Sequence, residues 1–289
     1  MQPRLFHLHA LSALHCGTGQ STGVVDLPIA RARATQLPIV PGSSLRGVLR
    51  HQVAEHHPKD APLLFGPQTI DGKADSFAGA LAVGDAHLLV LPVRALAGIV
   101  CFATSPFILR RYAQDCGRAA PPLPPATGPE TALIADDSVN LLGGKLVLED
   151  LDLTARKDAA VSAWAKRIAD TLHPADPAGS TDFIQRFAIL PDDIFGFLAE
   201  TATEVRARIA IDETSGTVKN GALWYEENLP AESVLWGVYA LSASNDRQTP
   251  RTADELAACL TPTGTLLQLG GKAGVGRGLV RFHTAEVSA

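Results

Sequence analysis

The order in which strand-like and helix-like segments follow one another constrains the fold of this chain more than any other feature of its sequence. Residues 4–14 show the period of two that is typical of a β-strand. Further strands are predicted at 79–93, 98–105, 143–153, 233–243, 264–271 and 278–284. Helices are predicted at 41–57, 106–116, 158–172 and 252–260. Because strands and helices are interleaved without strict alternation, the pattern predicts an α+β domain with an antiparallel sheet, helices on one face and insertions. A ferredoxin-like β-α-β-β-α-β core fits the two ends of the chain.

Composition places the chain among globular proteins. It has 289 residues, of which 46% are hydrophobic and 19% charged, which suits one large domain or two ordinary ones. The net charge of −5 argues against a nucleic-acid partner unless basic side chains cluster on one face. Because the sequence shows no signal-peptide pattern and no apolar run long enough to span a membrane, we expect a cytoplasmic protein without a membrane partner.

The sequence contains no local metal-binding or hydrolase motif. The four cysteines, at positions 16, 101, 116 and 259, form no C-x-x-C pair, and no H-E-x-x-H or G-x-S-x-G motif occurs. We therefore expect buried thiols in a reducing compartment, no zinc, and no serine hydrolase of the G-x-S-x-G type.

The segment "LGGKAGVGRGLVRF", at 269–282, is unusually rich in glycine. Five glycines fall between 270 and 278, together with Lys272 and Arg277. Glycines let backbone N–H groups approach an anion and the two cations add charge, so a phosphate backbone is the expected ligand of Gly271, Lys272, Gly274, Gly276 and Arg277. The alternative is a flexible hairpin loop. The segment matches neither the Walker A pattern nor the dinucleotide fingerprint, so we expect no nucleotide cofactor.

The segment "PGSSLRGVLR", at 41–50, predicts a helix N-terminus that could hold an anion. Ser43 or Ser44 is expected as the N-cap, and Arg46 and Arg50 follow on the helix. A plain capped helix explains the same residues equally well.

Asp26 is a single acid in an apolar run. A carboxylate beside phosphate-binding groups can hold a divalent cation or position a hydroxyl nucleophile. The alternative is an ordinary loop acid. His15 follows a strand and precedes a glycine-rich loop, so it is a second candidate for chemistry.

The segment 202–230 predicts a long β-hairpin with side chains suited to single-stranded nucleic acid. Arg206, Arg208 and Lys219 could contact a backbone, and Trp224 and Tyr225 could stack on bases. Glu226 and Glu227 could act as acids or metal ligands. The alternative is a solvated hairpin with an aromatic foot in the core.

Four segments together resemble one family. They are "HCGTG" at 15–19, the stretch from Gly23 to Arg50, "RIAIDETSGTVKNGALWYEENLP" at 208–230, and "LGGKAGVGRGLVRF" at 269–282. In this combination the chain resembles the RAMP superfamily of CRISPR proteins, most closely the backbone, RNA-cleaving subunits of type III-B (Cmr) effector complexes. The corresponding type III-A subunits are less similar through 222–230.

The resemblance implies a fold and a set of partners. The fold is a single RAMP domain: a ferredoxin-like (RRM-like) palm with an antiparallel sheet from 1–116 and 232–289, inserted fingers at about 117–201, and a β-hairpin thumb at about 202–230. The partners are guide RNA, single-stranded target RNA, further copies of the chain in a filament, and other Cmr subunits. Each thumb would displace a nucleotide at a regular interval.

The resemblance also implies residue roles. Asp26 matches the family's essential aspartate, and His15 and one of Glu226 or Glu227 match positions near the scissile bond. The helix start at 42–47 and the glycine loop match guide-backbone contacts, with Arg46 where the family usually has lysine. The implied reaction is attack by the displaced nucleotide's 2′-hydroxyl, leaving a cyclic phosphate. Asp26 would accept the proton or bind a weakly held Mg²⁺ or Mn²⁺.

Two other functions remain open at this stage. One is a guide-RNA scaffold in a RAMP complex that does not cut, against which the presence of Asp26 argues. The other is a small-molecule or nucleotide-binding enzyme that uses the glycine loop, against which the lack of a nucleotide fingerprint argues.

Overall fold

The computed structural model of the protein describes residues 2–21, 23, 25–67, 77–117 and 120–286. Its strands are β1 (Gln2–Ala10), β2 (Ile39–Val40), β3 (Leu81–Val83), β4 (Ala86–Ala95), β5 (Ile99–Thr104), β6 (Thr131–Ile134), β7 (Leu141–Leu142), β8 (Lys145–Leu148), β9 (Leu151–Lys157), β10 (Phe187–Ile189), β11 (Glu204–Ile211), β12 (Val218–Asn228), β13 (Val234–Leu241), β14 (Thr265–Gln268) and β15 (Leu279–Glu286). Its helices are α1 (Gly42–His56), α2 (Ala61–Phe65), α3 (Pro106–Cys116), α4 (Ala159–Leu172), α5 (Pro177–Arg186), α6 (Asp192–Thr201) and α7 (Ala253–Ala258), and a 3₁₀ turn covers Ala273–Val275. The α+β prediction is confirmed.

Four strands from the two ends of the chain form the centre of the main sheet. They lie in the order β15-β1-β13-β4, each antiparallel to its neighbour. Gly237 of β13 lies opposite Phe6 of β1, and a Cβ added there would overlap the Phe6 ring. Glycine at this position therefore lets the Phe6 ring lie over the backbone of β13.

Helices cover both faces of this sheet, so the prediction of helices on one face is wrong. Phe6 of β1 and Leu45 of α1 line the same small apolar cavity, so α1 lies on the face of the sheet to which Phe6 points. The neighbouring side chain, His7, points to the other face, where its Nε2 lies 2.7 Å from the hydroxyl of Tyr112 in α3. Both side chains are fully buried, as expected for a sheet covered on both sides.

Beyond β4 the sheet continues through β5 and then through the strands of the insertion, in the order β5-β10-β6-β9-β8-β7. The β5–β10 and β6–β9 pairs are parallel, so the extended sheet is mixed rather than antiparallel throughout. The strand predicted at 143–153 is in fact two strands, β8 and β9. They turn at Glu149, whose φ is 48°, and Leu148 pairs with Leu151.

Helix α1 begins without the predicted serine cap. Ser43 and Ser44 lie in the first helical turn and are exposed, and the N-cap position is occupied by Pro41. The carboxylate of Asp85 instead accepts a 2.7 Å hydrogen bond from the N–H of Gly42. A carboxylate from a distant segment therefore accepts the hydrogen bond of an N–H group at the start of the helix, and the local sequence does not indicate this contact.

The predicted hairpin is present as β11 and β12, which form a separate two-stranded sheet. Arg206 pairs with Glu226 and Arg208 with Trp224, so these four residues share one face of the hairpin. None of the helices within the described ranges is both long and apolar enough to cross a membrane.

Candidate functional site

Three segments meet at the base of the hairpin. Leu14 forms a backbone bridge with Leu229, just beyond β12, and Leu27 forms one with Glu226 inside β12. The glycine loop is joined to the same place, because the N–H of Gly271 donates to the carbonyl of His15 over 2.9 Å. Backbone hydrogen bonds therefore hold the loop after β1, the end of β12 and the glycine loop together.

Asp26 is fixed at this junction by the hairpin backbone. Its Oδ2 accepts a 2.7 Å hydrogen bond from the N–H of Tyr225, and its own carbonyl accepts one of 2.8 Å from the N–H of Ser21. Among the described residues, no group hydrogen-bonds to Oδ1. Asp26 thus presents one held and one available carboxylate oxygen.

The half-buried Asp26 side chain lines an open cleft of about 410 Å³. The cleft is bounded by Gln20, Ser21, Asp26, Leu27, Gly221, Leu223, Trp224 and Lys272. Of the candidates from sequence, the structure therefore brings together an acid, an aromatic ring and a cation, each from a different segment.

Glu226 lies beneath this cleft as a buried anion. Its Oε1 accepts hydrogen bonds from the Nζ of Lys272 at 2.9 Å and the Nε1 of Trp224 at 2.8 Å. The Nε of Arg208 lies 3.8 Å from Oε2. Burial acts to raise the pKa of Glu226, but the hydrogen bonds from Lys272 and Trp224 and the charges of Lys272 and Arg208 outweigh it and lower the pKa. Glu226 is therefore ionised near neutral pH and unsuited to donate a proton.

Glu227 is also buried, and both of its carboxylate oxygens are occupied. Oε1 accepts hydrogen bonds from the Nη2 of Arg31 at 2.5 Å and the hydroxyl of Thr203 at 3.1 Å. Oε2 accepts one of 3.1 Å from the N–H of Ile29. Glu227 thus ties the loop that carries Asp26 to the hairpin. Arg31 was not among the candidates from sequence, because its partner Glu227 lies in a distant segment of the chain.

His15 is buried below the glycine loop. Its Nδ1 lies 2.7 Å from the carbonyl oxygen of Glu227, and because a carbonyl only accepts, Nδ1 carries the proton of that bond. Its Nε2 faces Gly17 so closely that a side chain there would overlap the ring. Within the described residues, no hydrogen bond joins His15 to Asp26.

The candidates on α1 do not line the cleft. The guanidinium of Arg46 donates to the carbonyl of Phe65 at 2.6 Å, and that of Arg50 donates to the carbonyl of Gly66 at 3.0 Å. These two arginines thus cap the C-terminal end of α2. Ser43 and Ser44 remain exposed beside them.

The cations of the hairpin and the glycine loop differ in how they are engaged. The guanidinium of Arg206 forms an ion pair of 2.9 Å with the carboxylate of Glu204, whereas Lys219 is exposed. Arg277 makes no side-chain hydrogen bond or ion pair with any described residue, and the nearby Gly274 and Gly276 are exposed. The glycine loop therefore offers a free guanidinium next to open backbone.

The protein side chains around Asp26 do not by themselves form a metal cage. In the described ranges, Asp26 belongs to no group of three or more histidine, cysteine or acidic side chains whose donor atoms lie close enough to share an ion. Glu226 and Glu227 are bound to protein cations. Of the acids that the structure describes at this junction, only Asp26 is not paired with a protein cation. A single carboxylate of this kind fits a Mg²⁺ or Mn²⁺ ion that keeps most of its water ligands.

Comparisons with known proteins agree on one family. A family model of the RAMP superfamily matches residues 7–281. Over its full length, the chain is 34% identical to a protein of Pyrococcus furiosus named CRISPR system Cmr endoribonuclease Cmr4, and the match covers 97% of that protein.

Solved structures show the same similarity. The chain matches oligomeric Cmr4 from Pyrococcus furiosus with a TM-score of 0.74 at 27% identity, over the full length of both chains. It also shares the fold of a chain in a type III-B Cmr-beta complex bound to cognate target RNA, with a TM-score of 0.72 at 18% identity. This second match covers 98% of the present chain and 97% of the other.

Proposed function

The chain belongs to the RAMP superfamily, and from that premise we propose that it is the backbone, RNA-cleaving subunit of a type III-B CRISPR effector complex in the cytoplasm. Copies of the chain would bind guide RNA as a filament, assemble with other Cmr subunits, and cut complementary target RNA at regular intervals. The geometry of Asp26 supports this proposal best: the backbone of Tyr225 anchors its Oδ2, no described group hydrogen-bonds to its Oδ1, and the side chain lines the cleft.

Within this proposal, the antiparallel strands β15-β1-β13-β4 form the ferredoxin-like palm. Along the chain these strands follow one another as β1, β4, β13 and β15, so their order across the sheet is 4-1-3-2. Helix α1 lies between β1 and β4, and helix α7 lies between β13 and β15. This is the arrangement expected of a β-α-β-β-α-β unit. The insertion then provides the fingers, and β11 and β12 provide the thumb.

The hairpin has a surface that calls for a partner. Val205, Ile209, Leu223 and Tyr225 are each about half exposed on the face opposite Arg206 and Arg208. An isolated two-stranded sheet with an exposed apolar face is marginal in water. Contact with RNA bases or with the next copy of the chain would cover this face, as the proposed filament requires.

The proposed reaction uses the target RNA's own hydroxyl group. The 2′-oxygen of a displaced nucleotide attacks the adjacent phosphorus and forms a 2′,3′-cyclic phosphate. The bond to the 5′-oxygen of the next nucleotide breaks, and that oxygen takes a proton from water to become a 5′-hydroxyl. Asp26 Oδ1 is positioned to accept the proton of the 2′-hydroxyl. Lys272 lies in the same cleft, and its positive charge can stabilise the negative charge that develops on the phosphorus oxygens.

A divalent cation has a limited role in this proposal. Asp26 would hold a bound Mg²⁺ or Mn²⁺ together with RNA oxygens, and such an ion would add further charge stabilisation.

The remaining residues of the site act through their neighbours. Glu226 holds Lys272 and Trp224 at the cleft, and Glu227 holds the Asp26 loop through Arg31. His15 supports the carbonyl of Glu227. We therefore assign these three as positioning residues, whereas the guide backbone would be gripped by Arg277 and the open glycine turn.

The experiment that tests this function uses the assembled complex with guide RNA and an end-labelled complementary RNA in Mg²⁺ or Mn²⁺. Asp26→Ala is expected to slow cleavage by at least about a hundredfold, in keeping with the loss of a general base, while target binding persists. Asp150→Asn is the control, because Asp150 is exposed in the β8–β9 turn. A single 2′-deoxynucleotide at one displaced position should abolish that one cut.

The possible outcomes separate the alternatives. Regularly spaced products that disappear in Asp26→Ala would support the proposal. Unchanged cutting by Asp26→Ala would move the chemistry to another residue or subunit. Binding without cutting by the wild-type complex would leave this chain as a guide-RNA scaffold, and cleavage next to the deoxynucleotide would exclude attack by the 2′-hydroxyl.

A further inference from the structure

We propose that the chain carries a second functional site, a transition-metal site suited to Zn²⁺ and formed by His57, Asp60 and Cys259. An imidazole nitrogen, a carboxylate oxygen and a thiol sulfur, one from each residue, all lie within 4.8 Å of one another. Among the described residues, no other three or more histidine, cysteine and acidic side chains lie this close together. None of these residues lines the Asp26 cleft, and the proposal does not depend on the RNA-cleaving function.

Helix ends hold the three residues in place. The N–H of His57, at the end of α1, donates to the carbonyl of Val53 over 2.6 Å, and the N–H of Asp60, at the start of α2, donates to the carbonyl of His57 over 3.0 Å. The N–H of Cys259, at the end of α7, donates to the carbonyl of Leu256 over 3.2 Å. The backbone that carries each ligand is therefore fixed before any ion binds, which lowers the cost of forming the site.

The surroundings suit an accessible ion. His57 and Cys259 line a cavity of about 400 Å³, and His56 lies on its wall with its Nδ1 3.0 Å from the carbonyl of Gln52. The Asp60 side chain is only 17% exposed, so its carboxylate is mostly removed from water. Three protein ligands, two of which line this cavity, leave a fourth tetrahedral position open to water or another ligand.

The donor set selects the metal. Nitrogen, oxygen and sulfur donors together are typical of zinc and cobalt, whereas Mg²⁺ and Ca²⁺ require oxygen donors. Asp60 and a Cys259 thiolate would supply two negative charges to a divalent ion. Before the ion binds, the Nε of Arg251, 3.6 Å from Asp60, balances the charge of the Asp60 carboxylate. A thiol binds a metal as its thiolate, so metal binding at Cys259 has to release the thiol proton.

Such an ion would tie together two distant parts of the chain. His57 and Asp60 belong to the α1–α2 turn, and Cys259 follows α7 near the C-terminus. Zinc was not expected from the sequence, because two of the ligands are three residues apart and the third is contributed by another helix. Only the fold brings them together.

The test uses the full-length protein, freed of metal by chelation and then titrated with Zn²⁺ alone. We expect about one Zn²⁺ per chain, and we expect Co²⁺ to give the charge-transfer absorption of a thiolate ligand. Cys259→Ser should abolish that absorption and weaken Zn²⁺ binding by at least about tenfold, the smallest loss expected even for a group that only supports a ligand. His51→Ala is the matched control, because His51 is an exposed histidine on α1 outside the cluster.

A second readout separates metal binding from folding. Zn²⁺ should raise the Tm of the wild type and of His51→Ala, but not that of Cys259→Ser or of His57→Gln, which changes an exposed side chain. Stoichiometric binding that is lost in both ligand variants and kept in the control would support the site. Absence of stoichiometric Zn²⁺ binding, or binding that is unchanged in His57→Gln, would overturn it.

Discussion

The carboxylate of Asp26 accepts a hydrogen bond of 2.7 Å from the backbone N–H of Tyr225, which couples the candidate general base directly to the hairpin. The next hairpin residue, Glu226, forms a bridge with Leu27. Asp26 therefore moves with the base of the hairpin. A hairpin that displaces a target nucleotide would therefore keep a fixed position relative to the Asp26 carboxylate that acts on this nucleotide.

This bond allows the charge of Asp26 to be tested separately from its structural role. Asp26→Asn retains an oxygen that can accept from Tyr225, so we expect its free energy of unfolding to stay within about 0.5 kcal/mol of the wild type. Asp26→Ala loses the bond and should be destabilised by about 1 kcal/mol. Both should lose target cleavage, measured by single-turnover kinetics beside urea unfolding. Cleavage by Asp26→Asn would show that the negative charge is not used.

The pair of Lys272 and Glu226 should contribute to stability because Lys272 compensates the cost of burying the Glu226 anion. Lys272→Met leaves Glu226 buried without the nearer of its two cations, and we expect a loss of about 1–3 kcal/mol in urea unfolding. Combining Lys272→Met with Glu226→Gln should cost less than the sum of the two single changes. Lys219→Met, at an exposed hairpin lysine, is the control and should be near neutral. Additive effects in the double variant would contradict the coupling.

The sequence allowed prediction of those parts of the site that depend on local pattern. Asp26 stood out as an acid in an apolar run, and the glycine loop stood out by composition. The pairing of Glu226 with Lys272 and of Glu227 with Arg31 left no local signal, because each joins segments that meet only in the folded chain.

The same limit applied to the fold. The periodicity predicted most strands and helices, and α3 has the predicted bounds. Periodicity does not specify strand partners, so the parallel pairs of the insertion were missed. The prediction of a serine cap for α1 was wrong for a related reason: the N–H of Gly42 donates to Asp85, which belongs to another segment.

Buried histidines should make the protein less stable in mild acid. Burial, followed by the charges of Arg167 and His283, lowers the pKa of His7 to about 3, and burial is also the main cause that lowers the pKa of His283 to about 4. The unfolded chain therefore binds these protons first, and stability falls as the pH drops below the ordinary histidine value of 6.5. Between about pH 7.5 and pH 5, His7 alone should cost about 2 kcal/mol.

Urea unfolding at several pH values in this window checks the slope. The lowered pKa values of Glu226 and Glu232 act below their ordinary value of 4.5, so they do not interfere. His7→Gln should flatten the pH dependence by about one proton, and His51→Gln should leave it unchanged. A pH-independent free energy of unfolding in the wild type would contradict a neutral buried His7.

Arg277 and Arg46 should respond differently in guide-RNA binding, although both were candidates for phosphate contact. Arg277 has no side-chain partner among the described residues, whereas Arg46 is bound to the carbonyl of Phe65 at 2.6 Å. Arg277→Gln should weaken binding and lower the slope of log affinity against log salt by about 0.7, the share of one phosphate contact on a single strand. Arg46→Gln should instead cost about 1 kcal/mol in unfolding and leave the slope unchanged, because its hydrogen bond is internal.

Anisotropy titrations of labelled guide RNA at several salt concentrations measure both slopes. A reduced slope in Arg46→Gln with an unchanged slope in Arg277→Gln would assign the guide contact to α1 rather than to the glycine loop.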